Sequence, residues 1–213
     1  MNRTALKLSA LLSVLLMSSN SFAGRPLSVD DANTNDPGNG HVEAWYAEPG
    51  EGAKVWTIAP AYGIADGVEI GAALARETES KTSATALQIK LRLTESRKDG
   101  CNVGATLGVA HSNGGGGTDP YVNGLLTCYI EHLHAALHAN LGAVKTADGP
   151  TLRTWGVAFE HELGGEAAAH VEYFGQEQAK PTFQFGLRKE VVKTFRSTAR
   201  WVATTRTRCS AWA

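Results

Sequence analysis

The sequence predicts an all-β protein: a single antiparallel up-and-down transmembrane β-barrel of about 10–12 strands that follows a cleaved signal peptide. Three observations predict this class. Apolar and polar residues alternate through residues 85–109, candidate strands recur at near-regular spacing, and residues 1–23 have the form of an export signal. The 23 glycines, a share above the usual 7% or so, also favour turns and strands over long helices.

The alternation is clearest in two neighbouring segments joined by a turn at residues 96–100. In the first, Gln88, Lys90 and Arg92 separate aliphatic residues, and residues 102–109 repeat the pattern; the aliphatic residues of the first segment are Leu87, Ile89, Leu91 and Leu93. Successive strand side chains point to opposite faces, so each strand has one aliphatic and one polar face. Such a sheet suits either a soluble core or a barrel whose aliphatic face meets lipid.

The first residues predict export. Arg3 and Lys7 precede an apolar run over residues 8–17, and Ser21-Phe22-Ala23 is a small-x-small cleavage site. The run is shorter than the roughly 20 apolar residues that a membrane helix needs. We therefore expect cleavage after Ala23, and a bacterial protein that crosses a membrane, if it does, with strands.

Strands of about ten residues match the length that a tilted membrane strand requires. They are expected at residues 41–47, 54–61, 67–76, 84–95, 101–111, 120–130, 133–143, 152–162, 166–174 and 181–190. Alternate connections are expected to be long (48–53, 77–83, 112–119, 144–151, 175–180) and short (62–66, 96–100, 131–132, 163–165), as in outer-membrane barrels. Residues 128–144 are rich in alanine and also fit a helix, but their strand neighbours favour a strand.

The predicted organisation has four parts. Residues 1–23 are the signal peptide, residues 24–40 an irregular periplasmic lead-in, residues 41–195 the barrel, and residues 196–213 an atypical tail. The tail holds four arginines and no acidic residue, and we hypothesise a frameshift near Phe195, which resequencing tests. Within the lead-in, Asp30-Asp31 is expected to be a solvated turn rather than a cation site.

Several charged residues and histidines are candidates for a water-filled lumen, because unpaired charges are costly to bury. The candidates facing the lumen are Glu69, Lys90, Arg92, His134, His138, Glu160, Glu172 and Arg188. His132, His134 and His138 would share one strand face, but solvated groups are a better interpretation than a metal site. Hairpin geometry predicts that Cys101 and Cys128 lie nearly opposite each other and form a disulfide.

Composition and motifs exclude other classes. A net charge of −1 gives no basic face for nucleic acid. The chain has no Gly-x-Ser-x-Gly elbow, no cysteine in a nucleophile signature and no phosphate-binding glycine loop. We therefore predict no catalytic residue, no metal and no cofactor, and a protein that is not an enzyme.

The opening of the predicted mature chain resembles a known family. Residues 25–32 (Arg-Pro-Leu-Ser-Val-Asp-Asp-Ala), a turn at Pro37-Gly38 and Gly40, and residues 41–46 (His-Val-Glu-Ala-Trp-Tyr) are similar to the start of the transporter family named after the meta-pathway of phenol degradation. The resemblance implies an outer-membrane β-barrel that passes small hydrophobic or aromatic molecules. It also implies a C-terminal aromatic strand used by the barrel-assembly machinery, from which the tail departs.

The sequence thus predicts a barrel in the bacterial cell outer membrane, in contact with its lipid, that passively transports small hydrophobic or aromatic molecules. Two alternatives remain open. A soluble periplasmic β-barrel would bind a lipid or aromatic ligand inside, and an outer-membrane hydrolase could use His134, His138 or His170 as base.

Overall fold

The computed structural model describes residues 28–50, 53–97, 99–114, 116–164, 167–192 and 195–203. Side chains at residues 45–50, 53, 187–192 and 195–203 are not described. The predicted signal peptide and its cleavage site, and Cys209 in the tail, lie outside the described residues.

The described chain forms one antiparallel sheet in which sequential strands are neighbours, an up-and-down arrangement. The strands are β1 (Gly40–Gly50), β2 (Ala53–Ala65), β3 (Val68–Glu77), β4 (Ser83–Arg92), β5 (Gly100–Ser112), β6 (Gly117–Ile130), β7 (Ala135–Lys145), β8 (Thr151–Gly164), β9 (Ala167–Gln176), β10 (Thr182–Val192) and β11 (Phe195–Ala203). A single turn of 3₁₀ helix covers Glu131–Leu133. Within the described residues no ladder joins β1 to β11, so the sheet is not closed by hydrogen bonds.

The all-β prediction is confirmed, and the ten predicted strands correspond in order to β1–β10. The ambiguous segment is a strand over Ala135–Lys145, because its alternating residues pair on both sides, with β6 and β8. The tail is corrected in part: Phe195–Ala203 pairs with β10 as β11, so the sheet extends beyond the predicted boundary at residue 195.

The predicted alternation of long and short connections fails in the first half of the sheet, although the connections after β7 and β9 are longer than the one after β8, as predicted. The connection after β4 spans residues 93–99, whereas that after β3 spans residues 78–82 and that after β1 only residues 51–52. The strands extend further into the predicted loops than the sequence pattern indicated, because backbone ladders continue through polar residues such as Thr118 and Thr151.

The two faces of the sheet differ sharply in exposure. On β4, Leu87 is 57% exposed and Ile89 47%, whereas Lys90, the next residue along the strand, is 0% exposed. We call the face that carries Lys90 the inner face and the opposite, aliphatic face the outer face. Polar residues therefore fill the interior of the curved sheet, and aliphatic residues cover its outside.

Candidate functional site

The site is the interior of the curved sheet, and residues 29–34 of the lead-in occupy it; below, the lead-in means its described part, which begins at residue 28. Residues 29–34 are buried and adopt neither helix nor strand. Their partners lie on strands from β3 to β10, so the sheet wraps around this segment. The irregular conformation was predicted, but the prediction that Asp30-Asp31 is a solvated turn is wrong, because both carboxylates face a buried cation.

Lys90, on β4, is the centre of the site. Its Nζ lies 2.9 Å from Oδ1 of Asp30 and 3.7 Å from Oδ1 of Asp31. Glu69 lies opposite Lys90 in the β3–β4 register, and its Oε2 accepts a 2.8 Å hydrogen bond from the backbone N–H of Asn35. One ammonium group therefore faces three carboxylates, two from the lead-in and one from the sheet. We call these four residues, with Thr106, the Lys90 cluster.

Acceptors outnumber donors in the Lys90 cluster. Oδ2 of Asp30 and Oε1 of Glu69 are buried and have no hydrogen-bond partner among the described residues. Burial raises the pKa of Asp30 to about 7, against the opposing attraction of Lys90. Thr106 lies opposite Lys90 in the β4–β5 register, is fully buried, and its hydroxyl has no described partner either.

Backbone groups of the lead-in are held by side chains of the inner face. The N–H of Asp30 donates to Oδ1 of Asn140 at 2.7 Å, and Nδ2 of Asn140 donates back to the carbonyl of Asp30 at 2.8 Å. The N–H of Ala32 donates to Oγ1 of Thr127 at 2.9 Å, and this hydroxyl also lies 2.9 Å from Nδ1 of His138. These bonds satisfy the backbone of a segment that has no strand partner, which burial requires.

The upstream end of the segment is held by β9 and β10. The N–H of Val29 donates to Oε1 of Glu172 at 3.2 Å. Nε2 of Gln184 donates to Oγ of Ser28 at 2.9 Å and also contacts Oε2 of Glu172. β9 and β10 thus hold a segment that precedes them by more than a hundred residues in the sequence.

Glycines on the inner face make room for the lead-in. A Cβ at Gly156 would come within 2.7 Å of Cγ2 of Val29. A Cβ at Gly104 would lie 3.2 Å from the carbonyl oxygen of Ala32, and one at Gly63 would lie 2.5 Å from that of Asn35. Any larger residue at these positions would displace the lead-in from its position against the inner face, which we call its seat.

The structure brings most of the predicted lumen residues to the inner face. Glu69, Lys90, His138 and Glu172 surround the lead-in as described, and Glu160 is buried opposite His170 in the β8–β9 register. Arg92 lies at the end of β4, paired with Asp66, whose side chain is 84% exposed. Arg188 is on β10, but its side chain is not described.

His134 is a correction. It is exposed, lies in the connection between β6 and β7, and has a left-handed φ of 48°. The 3₁₀ turn at Glu131–Leu133 takes His132 and His134 off the strand, so they do not share a face with His138.

Cys101 and Cys128 are opposite in the β5–β6 register, and their sulfurs are joined at 2.07 Å.

Sequence reasoning missed the residues that hold the lead-in. Asn140, Thr127 and Gln184 are not among the predicted site residues, and His170 was named only as a candidate base. The signal that could have found the site was the combination of a paired Asp30-Asp31 with a lysine on a polar strand face, since a buried lysine needs acidic partners.

The site offers ionic and hydrogen-bonding groups. Within the described ranges, no group of three or more His, Cys, Asp or Glu side chains is arranged to hold a metal ion. No helix in this part of the chain is long and apolar enough to cross a membrane.

Residues 11–199 match the family described as Uncharacterised conserved protein UCP029691, and the chain belongs to it. Neither a curated protein nor a solved structure matches the chain. The resemblance to the phenol meta-pathway transporter family stays a prediction.

Proposed function

We propose that this protein is an outer-membrane β-barrel that passively transports small molecules and whose interior is closed by its own lead-in. The observation that carries the proposal is the inverted polarity of the sheet. Lys90, Glu69, Glu172 and Gln184 are among the most buried large side chains, while leucines, isoleucines and aromatic residues are exposed along successive strands. A protein in water buries the second group and exposes the first.

The outer face is continuous rather than a local patch. Exposed aliphatic or aromatic residues occur on strands from β2 to β10, and they include Ile58, Leu74, Leu87, Leu107, Val122, Leu141, Val157, Tyr173 and Phe185. A soluble monomer rarely exposes a contiguous apolar patch larger than a few hundred Å². Contact with the acyl chains of a membrane explains all these residues together. A soluble barrel with an apolar cavity would need the reverse orientation, so the geometry favours the membrane protein.

Transport is proposed because the inner face is polar and the segment that fills it is not part of the sheet. The interior of a barrel of this size is narrow, between the packed eight-stranded barrels and the water-filled porins. In the described conformation the lead-in blocks that interior, so a solute can pass only when the lead-in moves. The resemblance implies small hydrophobic or aromatic solutes, and the polar lining requires that such solutes carry a polar group.

The membrane part of the proposal is tested with the full chain expressed in a bacterium with an outer membrane. We expect the protein to fractionate with that membrane, to need detergent for extraction, and to migrate differently in a detergent gel before and after heating. Recovery of folded protein in buffer without detergent would contradict the membrane assignment.

The transport part is tested by solute flux into liposomes that contain the purified protein. The wild type is compared with Gly156→Leu, which fills the seat of Val29 and should displace the lead-in. Flux of small solutes is expected to be low for the wild type and clearly higher for the variant. An inserted, folded Gly156→Leu protein that passes no solute above the rate of empty liposomes would remove the transport proposal.

A further inference from the structure

We propose that Lys90 and Thr106 form a binding site for the carboxylate group of a small organic acid, and that Asp30 of the lead-in occupies this site when the interior is closed. The inference rests on the proposed function, because it names the class of solute that such an interior would take. Asp30 then acts as an internal substitute for the solute.

The first argument is where the carboxylate comes from. The sheet supplies the donors, Lys90 on β4 and the opposite Thr106 on β5. The carboxylate at 2.9 Å from Nζ of Lys90 comes from an irregular segment that is attached mainly through side-chain hydrogen bonds. Such a segment can leave without breaking a strand ladder, and the two donors then remain in the sheet.

The second argument is the unused donor. The hydroxyl of Thr106 is completely buried and has no hydrogen-bond partner among the described residues. A buried hydroxyl without a partner is costly, so an unpaired hydroxyl on the residue opposite Lys90 calls for an explanation. An acceptor that is smaller and less constrained than Asp30 could contact both Lys90 and Thr106.

The third argument is charge balance. With the lead-in in place, Asp30, Asp31 and Glu69 face one ammonium, which leaves two negative charges in excess if all are ionised. When the lead-in leaves, Lys90 and Glu69 balance each other. A solute with one carboxylate then adds a single negative charge, whereas the lead-in adds two. The electrostatic repulsion in the interior is therefore smaller with the solute bound than with the lead-in docked.

The test uses the full chain in detergent and acetate as the probe, because acetate reproduces the side chain of aspartate. Binding of radiolabelled acetate is measured by equilibrium dialysis, at constant ionic strength. We expect negligible binding to the wild type, where Asp30 fills the site, and one acetate per chain for Asp30→Ala. Acetamide, which is neutral and of similar shape, should not compete with it.

Matched variants identify the site. In the Asp30→Ala background, Lys90→Gln should abolish acetate binding, Lys90→Arg should retain it, and Thr106→Val should weaken it several-fold. Asp66→Ala removes the largely exposed carboxylate that pairs with Arg92 and should create no acetate site. If Asp30→Ala does not fold, Asp30→Asn keeps the side-chain volume and should show weaker binding that still requires Lys90.

The outcomes separate this inference from the transport proposal. No acetate binding to folded Asp30→Ala or Asp30→Asn, binding that survives Lys90→Gln, or equal competition by acetamide would each overturn the site. Acetate binding without any solute flux in liposomes would leave the site in place and remove transport. Flux of neutral solutes without acetate binding would leave the transport proposal in place and remove the acetate site.

Discussion

Replacing Lys90 with methionine tests whether the ion pair holds the lead-in in place. Lys90 and Asp30 are both buried, and Lys90→Met keeps a long unbranched side chain but leaves three carboxylates without their cation. Removing one partner of a buried ion pair costs about 3–5 kcal/mol. The lead-in can relieve this cost by leaving the interior, so we expect its docking equilibrium to shift by roughly 10²- to 10³-fold.

The docking equilibrium can be measured by the labelling of a cysteine placed at Ala32. This residue is fully buried when the lead-in is docked, so a maleimide reaches Ala32→Cys only after the lead-in moves. The measurement is made in a Cys209→Ser background, which leaves the Cys101–Cys128 disulfide intact. Asn39→Cys, at an exposed position, gives the rate of unhindered labelling.

Arg92→Met is the matched control for this prediction. Its partner Asp66 is largely exposed, and a pair of this kind contributes about 0–1 kcal/mol, so labelling should change by less than roughly tenfold. Equal labelling rates in the two variants, or a Lys90→Met protein that labels like the wild type, would refute the argument that the buried ion pair holds the lead-in.

Three further predictions concern the seat of the lead-in, its pH dependence and the outer face. Gly156→Ala places a Cβ 2.7 Å from Cγ2 of Val29 and should speed the labelling at position 32. Gly124→Ala is the control and should not, because its Cβ meets only a carbonyl oxygen at 3.5 Å. Equal effects of the two variants would argue against close packing of Val29 on Gly156. Because burial raises the pKa of Asp30 from 3.8 to about 7, the docked lead-in holds a proton that the free segment releases. Docking should therefore strengthen as the pH falls from 8 towards 4, and faster labelling in acid would contradict this sign. Leu141 is 71% exposed on the outer face, so Leu141→Arg should lower the free energy of unfolding in liposomes by about 2–4 kcal/mol if the residue lies near the membrane centre, as measured by urea unfolding. A change within about 0.5 kcal/mol, which is usual for a residue that faces water, would contradict the membrane assignment.

The strands could be predicted from the sequence because each one repeats a local signal. Leu87, Ile89 and Leu91 alternate with polar residues, and that pattern alone fixes both the strand and its two faces. The alternation also survives in residues 135–145, where helix propensity pointed the other way, because pairing with strands on both sides outweighs a weak intrinsic preference.

The position of the lead-in could not be predicted in the same way. Residues 28–39 have no period, and an irregular polar segment looks the same in sequence whether it is solvated or buried. Its partners Lys90, Asn140 and Glu172 are distant in the chain, and each of them is an ordinary residue for a polar face. Only their three-dimensional arrangement identifies the Lys90 cluster.

β11 was missed for a related reason. Arg196 to Ala203 carries no alternating apolar face, so nothing local marks it as a strand. Its backbone nevertheless completes the free edge of β10, and edge pairing needs only N–H and C=O groups.

The contacts of the lead-in also constrain the order in which the molecule assembles. Ser28 is hydrogen-bonded to Gln184 and Val29 to Glu172, so a segment that is synthesised before all the strands finds its partners only when β9 and β10 have been made. Contacts that span so much of the chain slow folding, because a long loop must be ordered before they form. Because the segment is not part of the sheet and is held mainly by side-chain hydrogen bonds, its docking can follow the pairing of the strands as a separate, later step of folding.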